Sequence, residues 1–404
     1  MAESALYLGL ISGTSADGID AVLIEFAGPS ARDEPSSSGF AGHSDDVSAL
    51  SRPSMAGLSN NGSPLRVVAS RTFPYPQDVR ERIVALAKSR ASILLDDYGR
   101  LDAEIGECFA KAASSLLHEA GIDPTAVAAI GSHGQTVCHR PNGAFPFTLQ
   151  IGDPSVIAER TGVTTVADFR RGDVAAGGQG APLLPALHAA VLADPAIPRA
   201  ILNLGGIANL TLLVPGRDVL GFDTGPANCL LDAWAARHLG SERDNGGAWA
   251  SSGTVDHDLL ARCLDDPYFS AAPPKSTGRE VFNLDWLDAR VHAGIAPENV
   301  QATLLALSTR TIADALRANA PATREVYACG GGVHNAALMD ALRTELSGVR
   351  VDTTAALGLD PDFVEAAGFA WLARARLAGE PGNLPSVTGA RGSRMLGAIY
   401  PASR

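Results

Sequence analysis

The chain has 404 residues, of which 46% are hydrophobic and 19% are charged, a composition typical of a globular protein long enough for two domains. Its net charge of -12 argues against a broad nucleic-acid-binding surface, and its five scattered cysteines form no CxxC pair that would predict disulfides or structural zinc. Because no apolar run reaches the roughly 18–20 residues of a membrane helix, we expect a cytoplasmic protein with neither nucleic-acid nor membrane partners.

The first feature is a pair of apolar runs between Leu6 and Phe26, joined by a polar, glycine-bearing turn. This pattern predicts a β-hairpin whose turn approaches a ligand closely, because Gly13 and Gly18 tolerate unusual backbone angles. Asp17 and Asp20 offer the hard oxygens that Mg²⁺ prefers, so both are candidate metal residues. A hairpin without a ligand is the alternative. The candidate nucleotide-binding residues of this turn are Gly13, Thr14, Ser15, Ala16, Asp17, Gly18, Ile19 and Asp20.

The segment from residue 28 to 64 has a different composition, with 10 Ser, 5 Gly and 4 Pro and no sustained apolar period. It is predicted to be a mobile insertion. A third strand is expected at Leu65–Phe73, and helices at 78–88 and 101–121, the second ending at Gly121.

A second cycle of similar elements begins at Ala200, with three strands and then helix–strand units. This internal duplication predicts an α/β fold of two lobes with a ligand-binding cleft between them. In it, Pro226 is expected at the first position of a helix that ends at Gly240. The last helix is expected to start with Asp360 as its N-cap and to end before Gly379. We place one domain at residues 1–140 plus about 385–404, and the other at 141–384.

Two further glycine-rich turns occur in the second half, each between a predicted strand and a predicted helix. The start of a helix favours anions, because its N–H groups are free and its dipole is positive there. Each turn alone has a structural explanation, but three on a duplicated scaffold favour a nucleotide. The candidate nucleotide-binding residues of these two turns are Asp223, Thr224, Gly225, Pro226, Asn228, Gly330, Gly331, Gly332 and Asn335. Gly205 and Gly206, in a turn between two predicted strands, are further candidates.

A second ligand-binding region is indicated by the stretch VADFRRGDVAAGGQGAP, in which a strand ends at Asp168. A carboxylate here could act as a general base, and Arg170 could orient a substrate. His133 and Gln135, at the end of another strand, suit hydroxyl or amide recognition. The alternatives are a surface ion pair between Asp168 or Asp173 and an arginine, and a structural histidine.

Together these motifs resemble the anhydro-N-acetylmuramic acid kinases of the sugar kinase, Hsp70 and actin superfamily. The resemblance covers nearly the whole chain and includes GTSADGID, GSHGQTVCHRP, NLGGIAN, GFDTGPAN, PPKSTGRE, CGGGVHN and PGNLPSVTGA. It implies the two-lobe, ribonuclease H-like fold with a duplicated core and central cleft. The departures are the 28–64 insertion, Ala16 in place of a larger apolar residue, and Ala227 in place of a glycine.

The resemblance also implies a reaction. ATP with Mg²⁺ would phosphorylate O6 of 1,6-anhydro-N-acetylmuramic acid while water opens the anhydro ring, giving N-acetylmuramic acid 6-phosphate for peptidoglycan recycling. By similarity, Asp173 is the base that activates the water, and Glu365 is a second acidic residue of the active site. His133, Gln135, Asp168 and Arg170 are the candidate substrate residues.

Two alternatives remain at this point. A kinase of another anhydro-sugar such as levoglucosan would use the same scaffold, although the intact RRGDVAAGGQGAP block favours the muramic acid branch. A non-catalytic actin-like nucleotide sensor would need neither Asp173 nor the loop around it. ATP and a small sugar are the expected partners, and the sequence leaves a homodimer open.

Overall fold

The computed structural model describes residues 4–13, 16–27, 65–88 and 93–403. The predicted mobile insertion at 28–64, and Thr14 and Ser15 of the first turn, lie outside the described residues. The strands, in chain order, are β1 (Ala5–Ser12), β2 (Ile19–Phe26), β3 (Leu65–Phe73), β4 (Val127–Arg140), β5 (Phe147–Ile151), β6 (Thr165–Ala167), β7 (Arg199–Leu204), β8 (Ile207–Leu213), β9 (Leu220–Pro226), β10 (Glu325–Cys329), β11 (Arg350–Thr353) and β12 (Ala398–Tyr400).

The helices lie between and around these strands, and the described ones include none both long and apolar enough to cross a membrane. In chain order they are α1 (Gln77–Lys88), α2 (Leu95–Ala120), α3 (Pro154–Thr161), α4 (Phe169–Ala175), α5 (Leu184–Leu187), α6 (Asn228–Leu239), α7 (Ala248–Ser252), α8 (His257–Leu264), α9 (Pro267–Ser270), α10 (Leu284–Asp288), α11 (Pro297–Asn319), α12 (Ala336–Glu345), α13 (Val364–Ala378) and α14 (Pro385–Thr388).

Across the described residues, the strands form a seven-stranded and a five-stranded sheet with the same internal pattern. In the first, β1, β2 and β3 are antiparallel neighbours, and β4 and then β6 continue on the other side, parallel to β1. In the second, β7, β8 and β9 repeat the antiparallel part, and β10 and β11 repeat the parallel part. The predicted duplicated α/β fold is confirmed by this repetition.

The strands of the first sheet come from two separate parts of the chain, and the proposed domain boundaries stay a prediction. The first sheet also contains β5 and β6, which extend it to Ala167, and the C-terminal strand β12. The reason is local: β4 turns directly into antiparallel β5, and α3 then returns the chain to β6, parallel to β4. In addition, α13 packs on β1, β2 and β4 of this sheet.

The hydrophobic core has three parts, and one of them joins the two halves of the molecule. One cluster lies under α2 on the outer face of the first sheet, and one fills the second half. The third surrounds α13 and α5, and combines Tyr7 of β1 with Ile201 of β7 and Tyr327 of β10. The two sheets therefore share a continuous apolar core on their facing sides.

A pair of glycines lets α13 approach the first sheet closely. Gly9 of β1 and Gly131 of β4 are partners in the parallel ladder. A Cβ on either would lie 1.9 Å from a carbonyl oxygen of α13, that of Ala366 or of Phe369 respectively. Only a residue without a side chain fits at these two positions, so the glycines set the distance between helix and sheet.

The ends of the predicted helices are confirmed in part. Gly121, Gly240 and Gly379 each adopt the left-handed conformation directly after a helix, as expected. The last helix begins at Val364, later than expected, because Asp360 belongs to a preceding turn in which its carbonyl accepts the N–H of Phe363.

Candidate active site

The first glycine-rich turn is held against the end of β4. The predicted hairpin of β1 and β2 is confirmed, with Ile11 opposite Asp20. Ala16 donates its N–H to the Gly13 carbonyl at 3.0 Å and has a φ of 53°, a left-handed conformation unusual for a residue with a Cβ. Gln135, which is fully buried, donates its amide to the same carbonyl at 3.1 Å. Gln135 therefore positions the turn, and its side-chain oxygen has no partner among the described residues.

The two candidate metal residues of this turn differ. Asp17 forms an exposed salt bridge with Arg80 at 2.8 Å through Oδ1, so a metal would have to bind through Oδ2 or displace Arg80. Asp20 accepts the Thr72 hydroxyl at 2.6 Å, and burial, with a smaller contribution from Asp362, raises its pKa. The described residues contain no cluster of three potential ligands. Asp20 alone still fits Mg²⁺, which commonly binds through one or two carboxylates together with phosphates and water.

The diglycine turn between β7 and β8 is joined to the start of α6. Asn228 donates its N–H to the Gly205 carbonyl at 3.1 Å, and Cys229 donates to the Gly206 carbonyl at 3.0 Å. Pro226 is the last residue of β9, so it is not the first residue of the helix as the sequence predicted. These first amides of α6 already have partners, which weakens the case for an anion site at this helix start.

The three glycines after β10 have different surroundings. A Cβ on Gly330 or on Gly332 would lie within 2.6 Å of atoms of β7, so close packing requires both glycines. Apart from its chain neighbours, no atom of the described residues lies within 4 Å of the Cβ position of Gly331, which leaves space where a ligand could lie. Asn335 caps α12 by accepting the N–H of Leu338 at 3.0 Å.

Asp223, near the end of β9, is partly buried and tied to the loop that follows α9. Its Oδ2 accepts the N–H of Thr277 at 3.0 Å, and its own N–H donates to the Lys275 carbonyl. Its carbonyl accepts the hydroxyl of Tyr268 at 2.8 Å. Burial, with a smaller contribution from Glu280, raises the pKa of Asp223 to about 6. Its second oxygen, Oδ1, has no hydrogen-bond partner among the described residues.

The two residues after Asp223 serve local packing. Thr224 is buried and donates its hydroxyl to the Ala208 carbonyl of β8 at 3.3 Å. Gly225 has a φ of 148°, and a Cβ there would lie 2.7 Å from the ring of Phe269. Any contact of these two residues with a nucleotide would therefore be made by the backbone.

Asp173 lies in a closed hydrogen-bond network and has no exposed surface. Oδ2 accepts the N–H of Gly180 at 2.7 Å. Oδ1 accepts both the amide of Asn383 at 2.6 Å and the hydroxyl of Thr388 at 2.7 Å. The alternative of a surface ion pair does not describe this environment, since the carboxylate joins the 173–180 loop to a segment more than 200 residues later.

Arg170 connects His133 to the same loop. Its Nε donates to Nε2 of His133 at 2.9 Å, and its Nη1 donates to the Gly180 carbonyl at 2.8 Å. Nδ1 of His133 lies 3.0 Å from the Gly134 carbonyl, which fits a neutral ring protonated at Nδ1. Burial, with a smaller contribution from Arg170, holds the pKa of His133 well below its usual value. Both nitrogens of His133 have protein partners, so neither can contact a ligand while these hydrogen bonds are kept.

Glu365 and Asp168 are the remaining predicted residues. Glu365, in the first turn of α13, keeps an exposed side chain. Desolvation by the protein around its carboxyl raises its pKa, which Arg170 lowers and Asp20 raises by smaller amounts. Asp168 has a φ of 61°, and its Oδ1 lies 3.3 Å from Nε of Arg171. Burial raises the pKa of Asp168. The structure therefore brings Asp20, Arg170 and Glu365 into one electrostatic environment.

Three residues of the site had no predicted role: Asn383 and Thr388, which are partners of Asp173, and Arg279, which lies beside the diglycine turn. All three lie in motifs that carried the family resemblance without a role for each residue, PGNLPSVTGA and PPKSTGRE. The Cβ position of Gly206 lies 2.9 Å from two nitrogens of the Arg279 guanidinium.

Comparison with known proteins identifies the family. A model of the anhydro-N-acetylmuramic acid kinases matches residues 53–402. An anhydro-N-acetylmuramic acid kinase of Xanthomonas campestris pv. campestris is 52% identical over 401 residues, covering 99% of this chain and 98% of the relative. The chain belongs to the anhydro-N-acetylmuramic acid kinase family. A relative of the same name from Nitrosomonas europaea is 44% identical over 402 residues, and the match covers 98% of this chain and 99% of the relative.

Membership in this family confirms the resemblance and disfavours both the levoglucosan kinase and the nucleotide-sensor alternatives. Solved structures with weaker similarity include a ROK family glucokinase from Streptomyces griseus in complex with glucose and AMPPNP. It is 14% identical with a TM-score of 0.35, and the match covers 92% of this chain and 99% of that chain.

Proposed function

We propose that this member of the anhydro-N-acetylmuramic acid kinase family uses ATP to convert 1,6-anhydro-N-acetylmuramic acid to N-acetylmuramic acid 6-phosphate. The observation that carries the proposal is the full-length match to relatives of that name. The product would enter peptidoglycan recycling, and we propose a cytoplasmic location, where ATP is available. The buried arginine and the carboxylates around the cleft support chemistry on a polar sugar.

The reaction joins two bond exchanges. A water oxygen bonds to the anomeric carbon, the bond from that carbon to O6 breaks, and O6 keeps the electron pair. O6 then bonds to the γ-phosphorus of ATP. The bond from that phosphorus to the oxygen shared with the β-phosphate breaks, and ADP leaves. In the anhydro-sugar O6 is an ether oxygen and carries no proton, so the base must take its proton from the water.

Asp223 has surroundings that suit such a base. It is partly exposed, one oxygen is free among the described residues, and a pKa of about 6 leaves it mostly ionised at neutral pH. Asp173, the base expected from the resemblance, is sealed from solvent with both oxygens occupied. We propose Asp223 as the base and Asp173 as a positioning residue; Asp173 as base stays a prediction that mutation tests.

Glu365 and Asp20 have a second role in this proposal. A magnesium ion bound with ATP would neutralise charge on the phosphates. Asp20 would hold it, with Glu365 nearby as an acceptor for its water ligands. Arg170, which is fixed between His133 and Gly180, would orient the sugar.

The deciding experiment is turnover of the full chain with ATP, Mg²⁺ and 1,6-anhydro-N-acetylmuramic acid, with levoglucosan as a parallel substrate. We expect ADP and a product identified by mass and NMR as N-acetylmuramic acid 6-phosphate, and slower or no reaction with levoglucosan. Equal or faster turnover of levoglucosan, or no sugar-dependent ADP release, would contradict the proposal.

A further inference from the structure

Arg279 is a cation that the proposed mechanism does not yet use. It is exposed and lies in the loop PPKSTGRE, which follows α9. Within the described residues it forms neither a hydrogen bond nor an ion pair. Its guanidinium nonetheless has a defined position, since Nε and Nη2 lie 2.9 Å from the Cβ position of Gly206. Any side chain at Gly206 would displace it.

The backbone on both sides of Arg279 is anchored. On one side, Thr277 donates its N–H to Asp223 at 3.0 Å, and Lys275 donates its ammonium to two carbonyls of α9. On the other side, Phe282 is almost fully buried and donates its N–H to the Gly278 carbonyl at 3.1 Å. The loop is therefore docked on the protein, and the guanidinium is presented from a rigid backbone.

The space around the guanidinium is open enough for a ligand group. A cavity of about 380 Å³ is lined by Arg279 together with Cys229, Phe282, Asn283 and Asp285. Arg279 also acts electrostatically on Asp232, where it partly offsets the effect of burial that raises the pKa of that carboxyl to about 6. Among the described residues no carboxylate forms an ion pair with the guanidinium, so an anionic ligand would find an available positive charge beside the diglycine backbone.

We propose that Arg279 binds the polyphosphate of ATP at the diglycine turn and stabilises the charge that develops there during phosphoryl transfer. The inference rests on the proposed function. A planar guanidinium can form two parallel hydrogen bonds to phosphate oxygens, and a fixed cation at transferring phosphate lowers the barrier to transfer. Because Arg279 and Asp223 are held by the same loop, phosphate binding and water activation would be aligned by one element.

The test replaces Arg279 by Gln and by Lys in the full chain, with Arg217→Gln as the matched control. Arg217 is an exposed arginine in the turn between β8 and β9, at the opposite end of these strands from Gly206. Affinities for ATP and for adenosine are measured by calorimetry, and kcat is measured with the anhydro-sugar. Circular dichroism and the melting temperature check that each variant is folded.

For Arg279→Gln we expect at least about tenfold weaker ATP binding, unchanged adenosine binding, and a kcat lower by about 10²-fold. Arg279→Lys should recover part of both, because it keeps the charge but not the planar fork. Arg217→Gln should match the wild type. An unchanged ratio of ATP to adenosine affinity with a normal kcat would overturn the proposal. A lower melting temperature with unchanged affinities and kcat would overturn it as well. If the wild type does not phosphorylate the sugar, the proposed function fails, while the affinity ratio still tests Arg279.

Discussion

Two aspartates near the cleft show how strongly the surroundings of a carboxylate determine its possible role. Asp173 accepts three hydrogen bonds and has no exposed surface, so its oxygens are committed to holding two segments together. The carboxylate of Asp223 accepts one hydrogen bond, from the backbone N–H of Thr277; it is partly exposed and its pKa is raised. A carboxylate that must take a proton from water needs an available oxygen, which favours Asp223.

Replacing each aspartate by asparagine separates these roles. Asp223→Asn should lower kcat by about 10²–10⁴-fold, the usual cost of losing a general base. Its stability at neutral pH should be retained, because burial disfavours the charged form that the change removes. Measuring kcat and the urea midpoint on one preparation checks both. A near-normal kcat would leave Asp173 or Glu365 as the base.

Asp173→Asn should act mainly on stability. An asparagine has only one accepting oxygen, so its NH₂ group would face either the Gly180 N–H or the Asn383 amide, both of which are donors; only the Thr388 hydroxyl could turn to accept. An unsatisfied buried polar group costs about 1–3 kcal/mol, so the urea midpoint should fall clearly. Asp173→Asn with full stability and a kcat lowered by 10²-fold or more would instead support its prediction as the base.

The raised pKa of Asp223 predicts the pH dependence of turnover. Below about pH 6 the carboxyl is protonated and cannot accept a proton, so kcat/KM should fall as pH decreases through about 6. The sign follows from the base being active only when ionised. A pH profile of kcat/KM for the wild type and Asp223→Asn checks this. A low-pH limb that persists unchanged in the variant would assign it to another group, such as Glu365.

At the scale of elements, the packing of α13 on the first sheet determines where Glu365 lies. The ladder partners Gly9 and Gly131 allow the helix backbone to approach the strands, and Glu365 is next to Ala366, whose carbonyl contacts Gly9. The acidic residue of the last helix reaches the neighbourhood of Asp20 because of this close approach.

Gly131→Ala tests this packing. Its Cβ would lie 1.9 Å from the Phe369 carbonyl oxygen, so helix and strand must separate, at a cost of roughly 1–3 kcal/mol or more. Gly99→Ala is the matched control, because its Cβ position in α2 has no atom of another described segment within 4 Å and alanine favours a helix. Urea unfolding should show a lower midpoint for the first and an equal or higher midpoint for the second. Equal midpoints would show that the helix shifts at no cost.

At the scale of the molecule, the two halves share one apolar core around α13 and α5. Domain closure around ATP and sugar would exclude competing water from the reaction, and this shared core is the expected pivot. We expect small-angle scattering to give a smaller radius of gyration with the sugar and a non-hydrolysable ATP analogue together than with either alone. The same radius in all states would contradict a closing cleft.

Several features of this fold could be predicted from the sequence because they depend on neighbours in the chain. The hairpin of β1 and β2 follows from two apolar runs around a polar turn, and three helix ends follow from glycines that adopt left-handed angles. The duplication was visible as a repeated order of strands. The family was recognisable because its motifs combine backbone-determined glycines with polar residues at strand ends.

Only the tertiary structure decided which polar residues are available for chemistry. Asp173 is sealed by Thr388, which is 215 residues away along the chain, and no local pattern signals that contact. The helix of Glu365 reaches the cleft through two glycines in separate strands, and Arg279 is positioned by Gly206 in another turn. The physical reason is that apolar periodicity reports which face of an element is buried, whereas burial of a charge and the number of its hydrogen bonds depend on elements brought together from distant parts of the chain.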